Sequence, residues 1–390
     1  MRYQKVCIEA LGYTLPDEVV RSDEIERGLQ PLYKRLRLQE GRLELMTGIS
    51  ERRFWTAGTL PSDKSVESAE KAIAAAGIDR RRIGVLIHAS VCRDHLEPAT
   101  ACRVHHCLQL SPHCMVYDVS NACLGIINGM VQIANMIELG QTRAGIVVGT
   151  ESGRHLVEHT IEFLNASTSL TRRQLKTAVA SLTIGSGSCA VLLVDRELSR
   201  TGNRLAAGTV RAHTENHQLC QSGRDEAVSG GMTPLMDTDS EQLMRQGIRT
   251  GAETFADFLA ETGWTREQID RSFCHQVGTT HRKLMLEAFG LDERIDFATV
   301  NWLGNTGSVA LPMTMAIALE QGLVKRGERV GMLGIGSGIN SLMLGAQWQT
   351  SLVGGASPRD AMVSSGQPHP SHNAATESGI PSVHSTTSSE

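Results

Sequence analysis

The chain reads as an α/β protein made of two pseudo-symmetric, βαβ-rich halves, and three observations predict this. A β-prone segment, Val116 to Asn121, turns at Cys123 into a long apolar helix that stops at Gly140. The segments AGIVVG (Ala144 to Gly149) and RVGMLGIGSG (Arg329 to Gly338) are apolar at almost every position, as strands inside a parallel or mixed sheet are. The order of elements in the first half then recurs in the second, without obvious sequence similarity, so two copies of one unit are the economical account.

Taken in order, Lys5 to Gly12 is a strand and Ser22 to Leu29 a short helix capped by Ser22, with acidic residues in its first turn. Ser65 to Ala76 is an Ala-rich helix closed by Gly77, and Ile83 to Ser90 is an apolar strand. A polar stretch, Val91 to Thr100, leads into a helix that starts near Thr100. After the strand and helix around Cys123 and the strand at Ala144, His155 to Leu175 is polar and helix-prone, suited to cover a tunnel mouth. Ser181 to Val194 returns to strand. In the second half Asp270 to Val277 is a strand ending at His275, as the earlier one ends near His88. Ala298 to Gly322 is a strand, turn and helix with Asn305 at the turn, followed by strands from Arg329 and from Asn340 to Trp348. The expected division is 1–200, 201–349 and a disordered Ser, Pro and His-containing tail, 350–390.

With 390 residues, 41% of them hydrophobic, the chain can bury a large core. A net charge of −4 and 4% aromatics suggest neither a nucleic-acid surface nor a base-stacking platform. No apolar run is long enough to span a bilayer and no signal sequence opens the chain, so a cytoplasmic protein is expected. Nine scattered cysteines without C-x-x-C pairs fit reduced thiols, not a disulfide framework. The tail histidines, His369, His372 and His384, lack ligand spacing, and no metal site is expected.

The chemistry lies at three turns. A thiol at the start of a helix faces unpaired N–H groups and the positive end of the dipole, which favour thiolate at Cys123. Alone, Cys123 reads equally as a small buried hydrophobe, His275 as a satisfied core residue and Asn305 as a turn residue. The internal repeat places all three at one edge of the paired sheets. A thiolate nucleophile beside neutral His and Asn side chains suits covalent acyl transfer and enolate chemistry.

The stretches DVSNACLGIINGM, HQVG, GNTGSVALP and GIGSGIN resemble the thiolase superfamily, in its β-ketoacyl-ACP synthase III-like branch, from about Val6 to Trp348. That resemblance implies a thiolase fold of five layers, αβαβα, a homodimer and acyl-thioester substrates, with coenzyme A thioesters and no bound cofactor. It makes Cys123 the acylated nucleophile, His275 and Asn305 the holders of the second thioester's carbonyl oxygen, and the backbone N–H groups of Cys123 and Ser337 an oxyanion hole. The DHLEPAT stretch is similar to OleA-type enzymes, which join two fatty acyl-CoA molecules head to head in bacterial long-chain hydrocarbon synthesis. In them a Glu, here Glu97, enters the partner subunit's site as the base. The implied reaction is a non-decarboxylative Claisen condensation, with downstream hydrocarbon-pathway enzymes as further partners. A decarboxylating synthase that uses malonyl-ACP fits less well, because a second carboxylate repels the malonyl group. An ester-forming or chain-transfer relative using Cys123 with another acceptor, and a catalytically silent scaffold of the same fold, are the remaining readings.

Overall fold

A path of nine strands, with a tenth added beside its middle, organises the chain. The computed structural model describes residues 1–167, 169, 176–223 and 236–355. Its strands are β1 (Val6–Thr14), β2 (Glu18–Arg21), β3 (Glu51–Phe54), β4 (Val85–Ala89), β5 (Met115–Val119), β6 (Ala144–Glu151), β7 (Gly187–Asp195), β8 (Arg204–Ala212), β9 (Cys220–Ser222), β10 (Met236–Thr238), β11 (Arg271–Cys274), β12 (Arg329–Gly336), β13 (Asn340–Gln347) and β14 (Val353–Gly354). The path runs β11-β12-β13-β8-β1-β7-β6-β4-β5, while β2 with β3 and β9 with β10 form separate pairs. Strands β1 and β8 touch through one register pair, Cys7 with Arg204, so the path divides there into two sheets.

The halves repeat in order and polarity. From the division outward, β1, β7, β6 and β4 are joined antiparallel, antiparallel and parallel, and β8, β13, β12 and β11 follow the same sequence. The first half adds β5, parallel to β4. Its counterpart in the second half is only a parallel bridge, Ser272 with Asp296. The strand expected from Ala298 is therefore absent, and Val300–Leu303 is a short helix instead. The physical reason is a side chain that takes over the edge. The Gln276 Oε1 accepts from Thr299 N at 2.9 Å and Val300 N at 3.0 Å, and its Nε2 donates to Phe297 O at 2.9 Å.

Burial on both faces of each strand generates the layers. Along β7, Cys189, Val191 and Leu193 face one core while Ala190, Leu192 and Val194 face another. The second of these cores also takes Ala69, Ala72 and Ile73 of helix Pro61–Ala76 and Val104 of helix Thr100–Cys107. The first contains the helices Gly125–Glu138 and Ala310–Glu320. On the far sheet, Met332 and Leu344 join that central core, whereas Leu333 and Met343 pack with Phe255, Phe258 and Phe289 of helices Ser240–Thr262 and Thr279–Phe289. The result is five layers, helix, sheet, helix, sheet, helix, a thiolase fold whose two middle helices are enclosed from both sides.

Smaller differences from the sequence reading have local causes. The Ser22 hydroxyl donates to Ile49 O, so Arg21 becomes the N-cap residue, its N–H bound to the Glu24 carboxylate at 2.9 Å. Val179–Thr183 is a 3-10 turn, and the strand begins only at Gly187. Helix Arg154–Ala166 starts one residue before the expected helical region, of which 168 and 170–175 lie outside the described residues. The tail was expected to leave the fold at 350, yet Val353–Gly354 pairs parallel to Leu11 and Gly12, with Leu352 O accepting from Leu11 N at 3.1 Å. Two apolar residues and a free backbone edge on β1 are enough to extend the sheet. Residues 356–390, with the three tail histidines, lie outside the described residues. Among the described residues, no helix is long and apolar enough to cross a membrane.

Helix Pro61–Ala76 lies directly on β1 because Gly12 has no side chain: a Cβ there would stand 2.2 Å from Ser68 O and 2.5 Å from Ala72 N. Gly12→Ala should therefore lose about 1–3 kcal/mol of stability, read as a lower urea midpoint at constant slope. An unchanged midpoint would mean that the helix can lift off the sheet at no cost.

Candidate active site

Both enclosed helices begin at the same place. Each is preceded by a single 3-10 turn, Ala122–Leu124 in one half and Gly307–Val309 in the other. The Ser308 hydroxyl donates to Ala89 O at 3.1 Å, fastening the second turn to the end of β4. Cys123 lies in the first of these turns and Asn305 two residues before the second, so helix packing brings them together. Ala122, just before Cys123, has φ 43°, a left-handed conformation that costs a non-glycine residue about 1–2 kcal/mol. The surrounding packing holds the chain in that turn.

The other two pieces come from strand ends. His275 continues β11, its N–H bonded to Leu333 O at 3.2 Å, and the turn Gly336-Ser337-Gly338 joins β12 to β13. That turn approaches Cys123 closely: a Cβ on Gly336 would stand 3.0 Å from Leu124 Cγ and 3.6 Å from Cys123 Cβ. Cys123, His275, Asn305 and Ser337 all line one cavity of about 290 Å³. Val179, Ala180, Leu243, Met244, Ile335 and Ile339 supply much of its apolar wall. Met46, Val179 and Lys176 also border a second apolar space of about 210 Å³, enclosed by Leu29, Tyr33, Leu38 and Leu43.

Burial governs the charges. It pushes the Cys123 thiol up to about 12, with neighbouring Cys220 and Glu151 acting in the same direction; the backbone N–H groups of Cys123 and Ser337 act against it. The thiolate expected from the helix start is thus outweighed by the loss of solvation around the sulfur. His275 is 3% exposed, and neither ring nitrogen has a hydrogen-bond partner among the described residues. Burial, helped by His281, lowers it to about 3, so the ring is neutral. Asn305 Oδ1 accepts from Gly307 N at 3.0 Å, which leaves the amide nitrogen as its donor toward a ligand.

Glu97 stands apart. It is exposed and does not line its own chain's cavity. Its loop is nevertheless well held: Asp118 accepts from Thr100 N at 2.8 Å and Ala101 N at 2.9 Å, and Glu151 accepts from Val91 N at 3.2 Å. Glu151 also accepts from Ser308 N, and its carboxyl group lies against the Ser308 hydroxyl, linking this loop to the turn after Asn305. Val91 and Leu96 in the loop are 48% and 47% exposed, and Met115 on β5 is 53% exposed.

Sequence reasoning missed Gln276, Glu151, Cys220 and His281. Gln276 follows His275 directly and His281 lies three residues past the same HQVG stretch, signals that could have been read; Glu151 and Cys220 lie outside the four motifs. Among the described residues, no three His, Cys, Asp or Glu side chains are grouped to hold a metal ion.

Two repeated halves, with a cysteine, a histidine and an asparagine meeting at the starts of their central helices, define a thiolase-superfamily acyltransferase. Residues 259–348 match the family model described as 3-oxoacyl-[acyl-carrier-protein] synthase III, C-terminal. The chain is 43% identical over 351 residues to an acyl-CoA:acyl-CoA alkyltransferase of Shewanella oneidensis, covering 89% of this chain and all of that one. It is 35% identical over 348 residues to the enzyme of the same description from Xanthomonas campestris, again 89% of this chain and all of the relative. The crystal structure of cerulenin-bound Xanthomonas OleA superimposes with a TM-score of 0.84 at 35% identity, covering 89% of this chain and 98% of that one. Other solved forms of that protein carry replacements of one cysteine, one glutamate or one histidine. The chain belongs to the acyl-CoA:acyl-CoA alkyltransferase family.

The buried histidines give a pH prediction. His275 at about 3, and His88 and His281 at about 4, are lowered by burial from the ordinary 6.5. Between those values and 6.5 the unfolded chain binds protons that the folded one does not. Stability is then complete above pH 6.5 and falls as pH drops, by about 1.4 kcal/mol per unit for each such histidine. Urea titrations at pH 7 and pH 5 should show this, and His275→Gln should flatten the slope by one histidine's share.

Proposed function

We propose that this chain joins two fatty acyl-CoA molecules by non-decarboxylative Claisen condensation to a 2-alkyl-3-oxoacyl product. The observation that carries this reading is one largely apolar cavity containing a thiol, a neutral unpaired imidazole and a free amide donor, in a chain of this family. An apolar wall suits an alkyl chain, and the adjoining second space offers further room for one.

Because Cys123 is protonated at rest, its attack on the first thioester requires that the proton leave as the C–S bond forms. A ring nitrogen of His275 receives it and returns it to the departing coenzyme A sulfur. The backbone N–H groups of Cys123 and Ser337 hold the oxyanion. The second acyl-CoA places its carbonyl oxygen on His275 N–H and the Asn305 amide, which makes the α-proton removable. Glu97 of the partner subunit takes that proton. The enolate carbon attacks the acyl-Cys123 carbonyl, the C–S bond to Cys123 breaks, its sulfur regains a proton at the expense of the one Glu97 took, and the 3-oxoacyl thioester remains bound to coenzyme A.

The base therefore requires a homodimer. Support comes from the edge position of β5, paired among the described residues only with β4, and from exposed Val91, Leu96 and Met115 around it. The reaction fits the cytoplasm, given that all nine cysteines are unpaired, and its product fits enzymes of long-chain hydrocarbon synthesis as consumers.

Intact-mass measurement after mixing with a long-chain saturated acyl-CoA should show one acyl adduct per subunit, and none in Cys123→Ala. An adduct that persists in the variant would remove Cys123 from the role. His275→Ala and Asn305→Ala should lose condensation while keeping a native circular dichroism spectrum.

Glu97→Ala should acylate normally but condense about 10²–10⁴-fold more slowly, the size of a general-base contribution. Mixing it with Cys123→Ala should restore activity, because a hybrid dimer has one site with both residues intact. Product should form from acyl-CoA alone. A requirement for a malonyl donor, or full activity in Glu97→Ala, would favour the decarboxylating synthase.

A further inference from the structure

The two amides of the oxyanion hole come from different halves of the chain, and among the described residues no backbone hydrogen bond joins their turns. Three asparagine side chains do. Asn340 Nδ2 donates to Ser337 O at 3.3 Å and to Asn121 Oδ1 at 3.3 Å, and Asn121 Nδ2 donates to Asn128 Oδ1 at 2.7 Å. The direction of this chain is set at one end. A carbonyl can only accept, so Ser337 O requires the nitrogen of Asn340, and each later amide must then be oriented as it is.

Its anchors are rigid. Asn340 opens β13 and is paired with Gly336 on β12 and with Ala212 on β8. Asn128 lies in the enclosed helix Gly125–Glu138. Between them stand the two parts that would otherwise relax: Ala122 in its left-handed conformation, next to Asn121, and Gly336-Ser337-Gly338, whose Gly338 has φ 132°. Strained backbone of this kind persists only where its surroundings over-determine it.

We propose that Asn340, Asn121 and Asn128 form a positioning relay that holds the Cys123 and Ser337 N–H groups in the geometry that stabilises the oxyanion. This rests on the proposed function, which assigns those amides to the acyl-transfer step. None of the three asparagines touches the reacting atoms; they act through the backbone of Asn121 to Cys123 and of Ser337. Asn340 is the critical member, since its one amide nitrogen bonds to both turns.

The test compares two reactions of the same sulfur. Transfer from a saturated fatty acyl-CoA passes through an oxyanion; alkylation by iodoacetamide does not. Asn340→Asp keeps the size but places an acceptor against Ser337 O, and Asn340→Ala removes the bridge without adding charge. Both should slow acylation of Cys123 by about ten- to a hundredfold, less than outright loss of an oxyanion donor. KM should be unchanged, because the interaction is made only in the transition state. Alkylation by iodoacetamide should slow far less than acylation in Asn340→Ala, because the two N–H groups only offset part of the effect of burial on the resting thiol, with the melting transition still cooperative. Acylation of both variants at the wild-type rate overturns the relay, and so does alkylation of Asn340→Ala slowed in step with acylation, which would place the effect on the thiol or the fold. A wild-type protein that alkylates but takes up no acyl group overturns the proposed function beneath it, and the catalytic meaning of the relay with it.

Discussion

The burial of two apolar helices back to back between two sheets is the constraint on which the site depends. Ala310–Glu320 is buried at every residue but Glu320, and Gly125–Glu138 at most of its positions. Helices this apolar have no stable place at a surface, so hydrophobic burial places them at the centre. Because the two halves repeat in polarity, both helices start at the same end, and the turns before them meet. Cys123 and Asn305 are neighbours for that reason, although 182 positions do not otherwise bring them near.

The same enclosure decides the electrostatics. A thiol at a helix start has two influences on it, the dipole favouring thiolate and desolvation favouring thiol, and here desolvation is the larger. His275 is neutral for the same cause. Neutral groups store no charge beforehand, so the proposed reaction moves a proton during attack. Fixed N–H donors act more strongly in such a desolvated place than in water, which is why the proposed oxyanion hole relies on them.

The halves have diverged most where they serve different ends. In the first, β5 is a full strand with a free edge, and Asp118 near its end caps the helix that follows the Glu97 loop. In the second, the equivalent strand has shrunk to one bridge, and the Gln276 side chain takes its place in binding the backbone before Asn305. Glu151 joins the two regions by accepting from Val91 and from Ser308. A single chain thus supplies a rigid cavity and, separately, an exposed carboxylate on a braced loop.

Much of this was legible in the sequence. The repeat order, the apolar strands and the helix after Cys123 follow from periodicity, which reports local burial directly. The grouping of Cys123, His275 and Asn305 followed from the repeat, since equivalent loops of two like units converge. The structure alone decided the rest. A Pro-free β-prone run before Asn305 became a short helix because a distant Gln satisfied its amides, and Val353 joined a sheet edge that no local pattern announces. The protonation of Cys123 and the asparagine chain from Asn340 to Asn128 belong here too. Desolvation and hydrogen bonding act between residues far apart in sequence, and periodicity carries no record of them.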